Sequence, residues 1–335
     1  MNVFKPIRST IQMDIHIRHD VEFEKILASD WPKALALTRT RMSLQQLLDA
    51  KTSDAQLQTR LNEYILQIDN AYRFVASQAN TPLQTQPLFS WSVNRRLVQT
   101  PCWRIETVLP RVALANALYR QGLTALVAQK HLEAGSLFTR ASQRHQETRD
   151  ILTHWRWRQP ELQIQVLQAD WHAGQHHHML ALKNMCMLSV GIDRDTGTST
   201  CFTVAQRAVK HAAAAVAVWP DNDAKHILPI AETMRYAYSS TLFWNAHQYG
   251  ASIHTLTHWV GPDIDTGPFA KLAEELTTVP LLLRERQHTN DGAYFDKIEP
   301  ATDLVPPAEL IHMEIDAPHP TRMSTPDAAH DTDTT

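Results

Sequence analysis

ELQIQVLQADWHAGQHHHMLALKNMCMLSVGI, running from Glu161 to Ile192, is the stretch on which the fold turns. It contains no Pro and it is periodic. Leu182, Cys186 and Val190 step by four, and Met179, Met185 and Met187 thicken the same region. Apolar residues spaced by three and four form one stripe along a helix. Such a stripe is either buried core or the lining of a groove. Core is the commoner outcome for the pattern. Met favours a groove, because its flexible thioether suits a surface that adapts to a partner helix. Both readings stand at this point.

Outward from this stretch, the prolines divide the chain, because Pro ends or kinks helices. No Pro falls between Pro32 and Pro82, Pro110 and Pro160, Pro160 and Pro220, or Pro229 and Pro262, so these intervals are the expected helical blocks. The first carries Leu44, Leu47, Leu48, Leu57, Leu61, Tyr64, Ile65, Ile68, Tyr72 and Val75 at helical spacing. A break follows at ANTPLQTQPL, and then comes the aromatic segment Phe89-Ser90-Trp91. The second block is expected from about Trp103 to Trp157. The third holds the opening stretch and the Ala-rich AVKHAAAAVAVW. The fourth is expected to begin near Ile230.

At the N-terminus Ile11, Met13, Ile15 and Ile17 alternate with polar residues, which predicts a short β element against a helical body. Two segments share one spacing: His131, Ala134, Phe138 and Ala141, and then Tyr249, Ser252, Leu256 and Trp259. Small residues among large ones at this spacing let helices approach closely, as in tetratricopeptide hairpins. The expected fold is therefore mainly α, a stack of antiparallel helices sharing one extended core. HPTRMSTPDAAHDTDTT, at the end, lacks apolar content and reads as a disordered tail.

Composition agrees with a helical body. Of the 335 residues 43% are hydrophobic and 20% charged, as in a folded domain. Only 9 are Gly, where average usage gives about 23. Helices joined by economical turns need few. The net charge of -3 supplies no global basic field for nucleic acid or an acidic membrane. Cys102, Cys186 and Cys201 show no CxxC spacing, so a disulfide framework or Cys-rich zinc site is not expected and a reducing compartment is. MNVFKPIRST has no apolar signal-peptide core, and no run of about eighteen apolar residues suggests a membrane span.

The chemistry-bearing motifs weaken on inspection. His172 and His176 are four apart, the spacing for two imidazoles on one metal, but no Glu completes HExxH, and the consecutive His176, His177 and His178 point in three directions on a helix. No GxGxxG, GxxxxGK[ST] or GxSxG occurs. Cys186 lies in an apolar stripe without a basic neighbour to activate it. Trp155-Arg156-Trp157-Arg158 is too short for a nucleic-acid surface and reads as packing. No catalytic residue, metal ligand or cofactor site is assigned.

Several segments taken in order resemble the Bro-domain family of ALIX- and BROX-type ESCRT-associated proteins. FKPIRSTIQMDI resembles the family's opening. LNEYILQIDNAYRFV followed by FSW resembles a helix ending before Phe-x-Trp. IETVLPRVALANAL falls where the family has its Tyr-Glu-Lys helix, and Glu106 fits. LQADWHAGQ resembles a Leu-Ala-Gln-Ala-Gln helix, and HQYGASIHTLTHW a late helix with Tyr/Phe-Gly-Glu-Ala-Ile. Most specific is NDGAYFDKIEPATDLVPP, whose Asn290, Asp291, Tyr294, Ile298, Pro300, Leu304 and Pro306 follow the family's closing order.

The resemblance implies an elongated, boomerang-shaped helical scaffold in one domain over residues 1–313, with tetratricopeptide-like hairpins, a small N-terminal β element and a tail over 314–335. It implies a non-enzymatic adaptor without cofactors, in the cytoplasm and at endosomes, meeting membrane only through partners. The partner implied is the C-terminal amphipathic helix of an ESCRT-III subunit of the charged multivesicular body protein type. LKNMCMLSV matches the patch helix, so Leu182, Cys186, Met187 and Val190 are the implied contacts, and Tyr294 matches a family Tyr at a partner surface. Departures are visible: Ala173-Gly174 replaces a large aromatic, Pro110-Arg111-Val112-Ala113 replaces Leu-Phe-Asn-Leu, and GIDRDTGTST interrupts a continuous helix. The alternative they raise is a tetratricopeptide-like interaction module that has changed or lost ESCRT-III binding.

Overall fold

The computed structural model describes residues 14–18, 21–27, 33–50, 53–77, 88–153, 155, 157, 162–258, 269–294, 298, 306, 308 and 311. Ile11, Met13, Trp259 and the expected tail lie outside them. In chain order the elements are strand β1 (Ile15–Ile17), helices α1 (Phe23–Ile26), α2 (Ala34–Asp49) and α3 (Asp54–Ser77), then strands β2 (Phe89–Val93) and β3 (Arg96–Thr100). There follow α4 (Trp103–Val127), α5 (His131–Leu152), a short 3-10 turn (Gln165–Leu167), α6 (Ala169–Asp193), α7 (Thr198–Val218), α8 (Ala224–Asn245), α9 (Tyr249–Leu256), α10 (Ala270–Thr289) and a π turn (Asn290–Tyr294).

The β element is larger than the sequence implied. Three antiparallel strands run in the order β1-β2-β3, with Ile15 opposite Val93 and Trp91 opposite Val98. The segment Phe89-Ser90-Trp91, given no element by the sequence reading, lies in the middle strand. All five residues of β2 are buried, so the period-two signature of a half-exposed strand is missing. Asn94 and Arg95, at φ 51 and 66, form the tight turn to β3; positive φ at both positions is what a two-residue hairpin needs.

The sheet is fastened to the helices by one carboxylate. Glu106 of α4 accepts from Arg41 Nε of α2, Tyr64 OH of α3 and Trp91 Nε1 of β2, each at 2.6 Å. Glu106 and Arg41 are 0% and 1% exposed, so the pair is fully desolvated and depends on these charge-assisted bonds.

From α4 to α8 each helix packs on the next, an antiparallel stack in which every helix buries one face on its predecessor and another on its successor. The joints explain the shortage of Gly. At the ends of α4, α6 and α8 the chain turns through Gln129, Asp195 and His247, at φ 58, 51 and 60. Lys130 N–H donates to the Ala125 carbonyl, Thr196 N–H to Gly191 and Gln248 N–H to Phe243. This bond, running back over the last helical turn, is the Schellman closure. The chain makes it three times without Gly. Gly122 of α4 sits instead where two helices touch: a methyl on it would lie 2.6 Å from the Phe138 ring of α5.

The prolines mark boundaries less well than expected. Pro110, Pro229 and Pro280 lie inside α4, α8 and α10. Each removes one backbone donor, and tertiary packing of the helix outweighs the loss. The fourth block accordingly starts at Ala224, before Pro229, and the Pro-free second block is split at Ala128–Lys130. The decisive stretch opens not as helix but with the 3-10 turn, and α6 begins only at Ala169.

Candidate functional site

Helix α6 lies between α5 and α7 and also reaches α8 and α10. Its burial pattern separates two faces. Residues turn by about 100° each along an α-helix. Leu182 and Cys186 point into the stack and are 0% exposed, and Val190 is 8% exposed. Cys186 sits over α5, where a methyl on Gly135 would come within 3.7 Å of its Cβ. Burial pushes the Cys186 thiol up to about 12, so it packs as a neutral apolar group. These three positions, expected as partner contacts, are therefore core in this structure. The stripe is real, and it is the stripe that assembles the fold.

The open face of α6 lies on the other side. Ala173, Leu180 and Met187, seven residues apart, share it with His176, His177, Lys183 and Gly191; all are half-buried or exposed, and Met187 reaches 37%. Among the five expected contacts, Met187 on this face and Tyr294 elsewhere are accessible. The sequence signal for the open face was present as the second heptad Ala173-Leu180-Met187, hidden by the stronger stripe beside it.

The three consecutive histidines face three different helices. His176 Nδ1 meets Ser142 Oγ of α5 at 2.8 Å, His177 Nδ1 meets His211 Nδ1 of α7 at 3.2 Å, and the His178 ring lies 6.4 Å from that of Tyr119 on α4. His172, the first of the spaced pair, turns inward. Its Nε2–H donates to the Val166 carbonyl at 2.9 Å, which leaves Nδ1 to accept from His145 Nδ1–H at 3.0 Å. Burial holds His172 down at about 4 and His178 at about 3. His172 and His176 thus share no ligand position, and among the described residues no group of three His, Cys, Asp or Glu is placed to hold a metal ion.

The flanks of the open face are basic. Lys183 and His176 stand on α6, Lys210 and His211 on α7, and Arg149 on α5; their mutual repulsion adds to burial in lowering His177 and in holding His211 at about 4. An apolar strip with cationic margins receives an amphipathic helix that carries acidic residues beside its apolar face.

Tyr294 belongs to a second surface. It is 47% exposed and stacks on Tyr249, while Trp244 meets both rings edge-on at 6.2 and 4.8 Å. Beneath them the buried Arg286 lies 5.1 Å from the Trp244 ring and donates to Ser252 Oγ at 2.9 Å, to Ser240 Oγ and to Thr241 Oγ1. Sequence reading named Tyr294 and missed Trp244 and Tyr249 as its neighbours, since no spacing links α8, α9 and the π turn.

No helix among the described residues is long and apolar enough to cross a membrane. No protein-family model matches the chain, and no curated protein matches it by sequence. Solved structures do match. An ALIX BRO1 CHMP4C complex superposes with a TM-score of 0.68 at 14% identity, covering 87% of this chain and 90% of that one. ALIX in complex with the SIVmac239 PYKEVTEDL late domain gives 0.68 at 14% identity, over 87% of this chain and 46% of the other. A Bro1 domain described for endosomal targeting gives 0.65 at 10% identity, over 87% of each. The chain has the Bro-domain fold, a boomerang-shaped helical scaffold with a small sheet.

Proposed function

From the premise of a Bro-domain fold, we propose that this protein is a non-catalytic adaptor that receives an amphipathic helix of an ESCRT-III-type partner along the open face of α6. The observation that carries the reading is Met187, 37% exposed on a helix whose other apolar side chains are buried or half-buried. With Leu180 it offers apolar surface at a seven-residue repeat, the period at which a docked helix presents its own apolar residues. The solved ALIX BRO1 complex with CHMP4C supplies a precedent for the partner class. The contact set differs from the one that the sequence resemblance implied: Leu180 and Met187 replace Leu182, Cys186 and Val190, with Tyr294 as a separate contact. The adaptor would act in the cytoplasm and reach endosomal membrane through its partners.

The test is titration of the purified chain with a labelled ESCRT-III C-terminal helix. Binding in the micromolar range is expected, weakened at least tenfold by Met187→Asp, which removes about 1.4 kcal/mol or more. A folded protein that ignores the helix would instead favour a helical interaction module with another partner.

A further inference from the structure

His177 of α6 and His211 of α7 face each other at the margin of the open face, Nδ1 to Nδ1 at 3.2 Å, with ring centroids 5.4 Å apart. Both rings are half-buried. Two neutral imidazoles in this arrangement share one hydrogen, one ring donating and the other accepting. A second proton on the pair sets two positive charges against each other. The charged and titratable groups acting on the pair are Arg149 from α5, His176 and Lys183 from α6, and Lys210 from α7. Every one is a cation or becomes one on protonation, and Arg149 among them has a carboxylate partner, its Nε lying 3.7 Å from Asp150 Oδ1. The pair is thus a partly desolvated, proton-accepting spot in a basic margin, and Asp150, next to Arg149 in the chain, is engaged by Arg149 while the two rings engage each other.

Resting on the helix-binding reading above, we infer that His177 and His211 form a proton-coupled receptor for a carboxylate of the docked helix, a Glu or Asp beside its apolar face. When that carboxylate lies over the two rings it accepts from both Nδ1–H groups, and the complex takes up a proton as it forms. Charge complementarity selects this occupant: the apolar strip is bordered by Lys183, Lys210, Arg149 and the histidines, and an acidic amphipathic helix matches both components.

The sign of the coupling follows. In the free protein burial and the neighbouring cations hold His211 at about 4 and His177 below its ordinary value. A bound carboxylate raises both. Between the free and the bound values the complex holds more protons than its separated parts, so affinity grows as pH falls through that window. One coupled proton gives up to about tenfold per pH unit.

The experiment uses the full chain and a synthetic amphipathic helix with a Leu face and a Glu flank, its Gln-flanked counterpart, and a short oligo-glutamate. Circular dichroism first establishes that the fold persists at about pH 5.5. The Glu helix is expected to bind at least about fivefold tighter at about pH 5.5 than at about pH 7.5. The Gln helix and the His177→Gln/His211→Gln double variant should show a flat profile, whatever their absolute affinity. Equal affinity of the Glu helix at both pH values overturns the proton-coupled receptor and leaves the groove standing. Oligo-glutamate binding with this pH profile, without binding of either helix, retains the receptor and overturns the groove. Binding of none of the three overturns both.

Discussion

Tyr294 lies flat on Tyr249, ring centroids 3.8 Å apart and planes within 10° of parallel. The stack fastens the π turn after α10 onto the start of α9, and Trp244 closes it from the side. An aromatic pair adds about 0.5–1.5 kcal/mol beyond the area that it buries. Tyr294→Ala and Tyr249→Ala should each preserve the helical circular dichroism spectrum, and the double-mutant cycle should return a coupling of about 1 kcal/mol. Additive effects would mean that the rings do not meet. If Tyr294 also touches the partner, Tyr294→Ala weakens helix binding more than Tyr249→Ala does.

Cys186 and Met187 are neighbours with opposite consequences. Cys186→Asp places an unpaired carboxylate in the α5–α6 interface and should cost several kcal/mol, enough to lower the melting temperature by about 5 °C or more. Met187→Asp puts the same group in water, so its stability should stay within about 0.5 kcal/mol of the parent while helix binding is lost. Thermal melts read alongside binding separate the two faces of α6.

Glu106→Gln leaves the Arg41 guanidinium buried without its counter-charge. A loss of about 3–5 kcal/mol is expected in urea unfolding. Replacing both partners, as Arg41→Met with Glu106→Leu, should recover a large part of it. A double variant no better than the single one would show that Tyr64 and Trp91 need the carboxylate as much as Arg41 does.

The three helix ends at Gln129, Asp195 and His247 hold side chains in left-handed backbone, a conformation that costs an ordinary residue about 1–2 kcal/mol. Glycine escapes that cost and surrenders part of the gain through its looser unfolded state. Asp195→Gly should therefore stabilise by roughly 0.5 kcal/mol. His247→Gly should gain less or lose stability, because it also gives up the 2.7 Å contact of His247 Nδ1 with Tyr249 OH; equal gains at the two positions would show that this contact contributes nothing.

Acid should loosen the fold before carboxylates are protonated. His172 and His178 are held at about 4 and about 3 when folded, against about 6.5 when unfolded. Below about pH 6.5 the unfolded chain binds more protons, so stability falls with pH, by about 1.4 kcal/mol per unit for each ring. The buried His145 titrates in the same direction. Melting temperature is expected to be flat from about pH 8 to 7 and to drop steadily between about 6 and 4. A His172→Asn/His178→Asn variant that still folds should show a shallower drop.

The helical stack was legible because α3, α5 and α6 each carry a strong apolar period, and Ala134, Phe138 and Ala141 mark the close contact where they were expected, all at 0% exposure. The middle strand was not, since FSWSV is buried on both faces and presents no alternation. Pro229 misled for a different reason: a helix held by neighbours on two sides tolerates a lost backbone bond that an isolated one would not. At the site the period was right and its direction was not. Leu182, Cys186 and Val190 form the most regular stripe of α6 because they are core, and periodicity alone does not say which of two apolar faces meets water. His211 became visible only when the fold brought α7 beside α6.

The sheet gives the chain a schedule. The Asp14 N–H donates to Asn94 Oδ1, a separation of 80 residues, and among the described residues the strand that pairs with β1 is β2. During synthesis at roughly 5–20 residues per second, the first strand leaves the ribosome roughly 4–16 s before its partner. In that interval Ile15 and Ile17 have no sheet to cover them, and α2 and α3 wait for Trp91 and Glu106. The native cover of these apolar residues is therefore incomplete until α4 emerges and Glu106 can join Arg41, Tyr64 and Trp91.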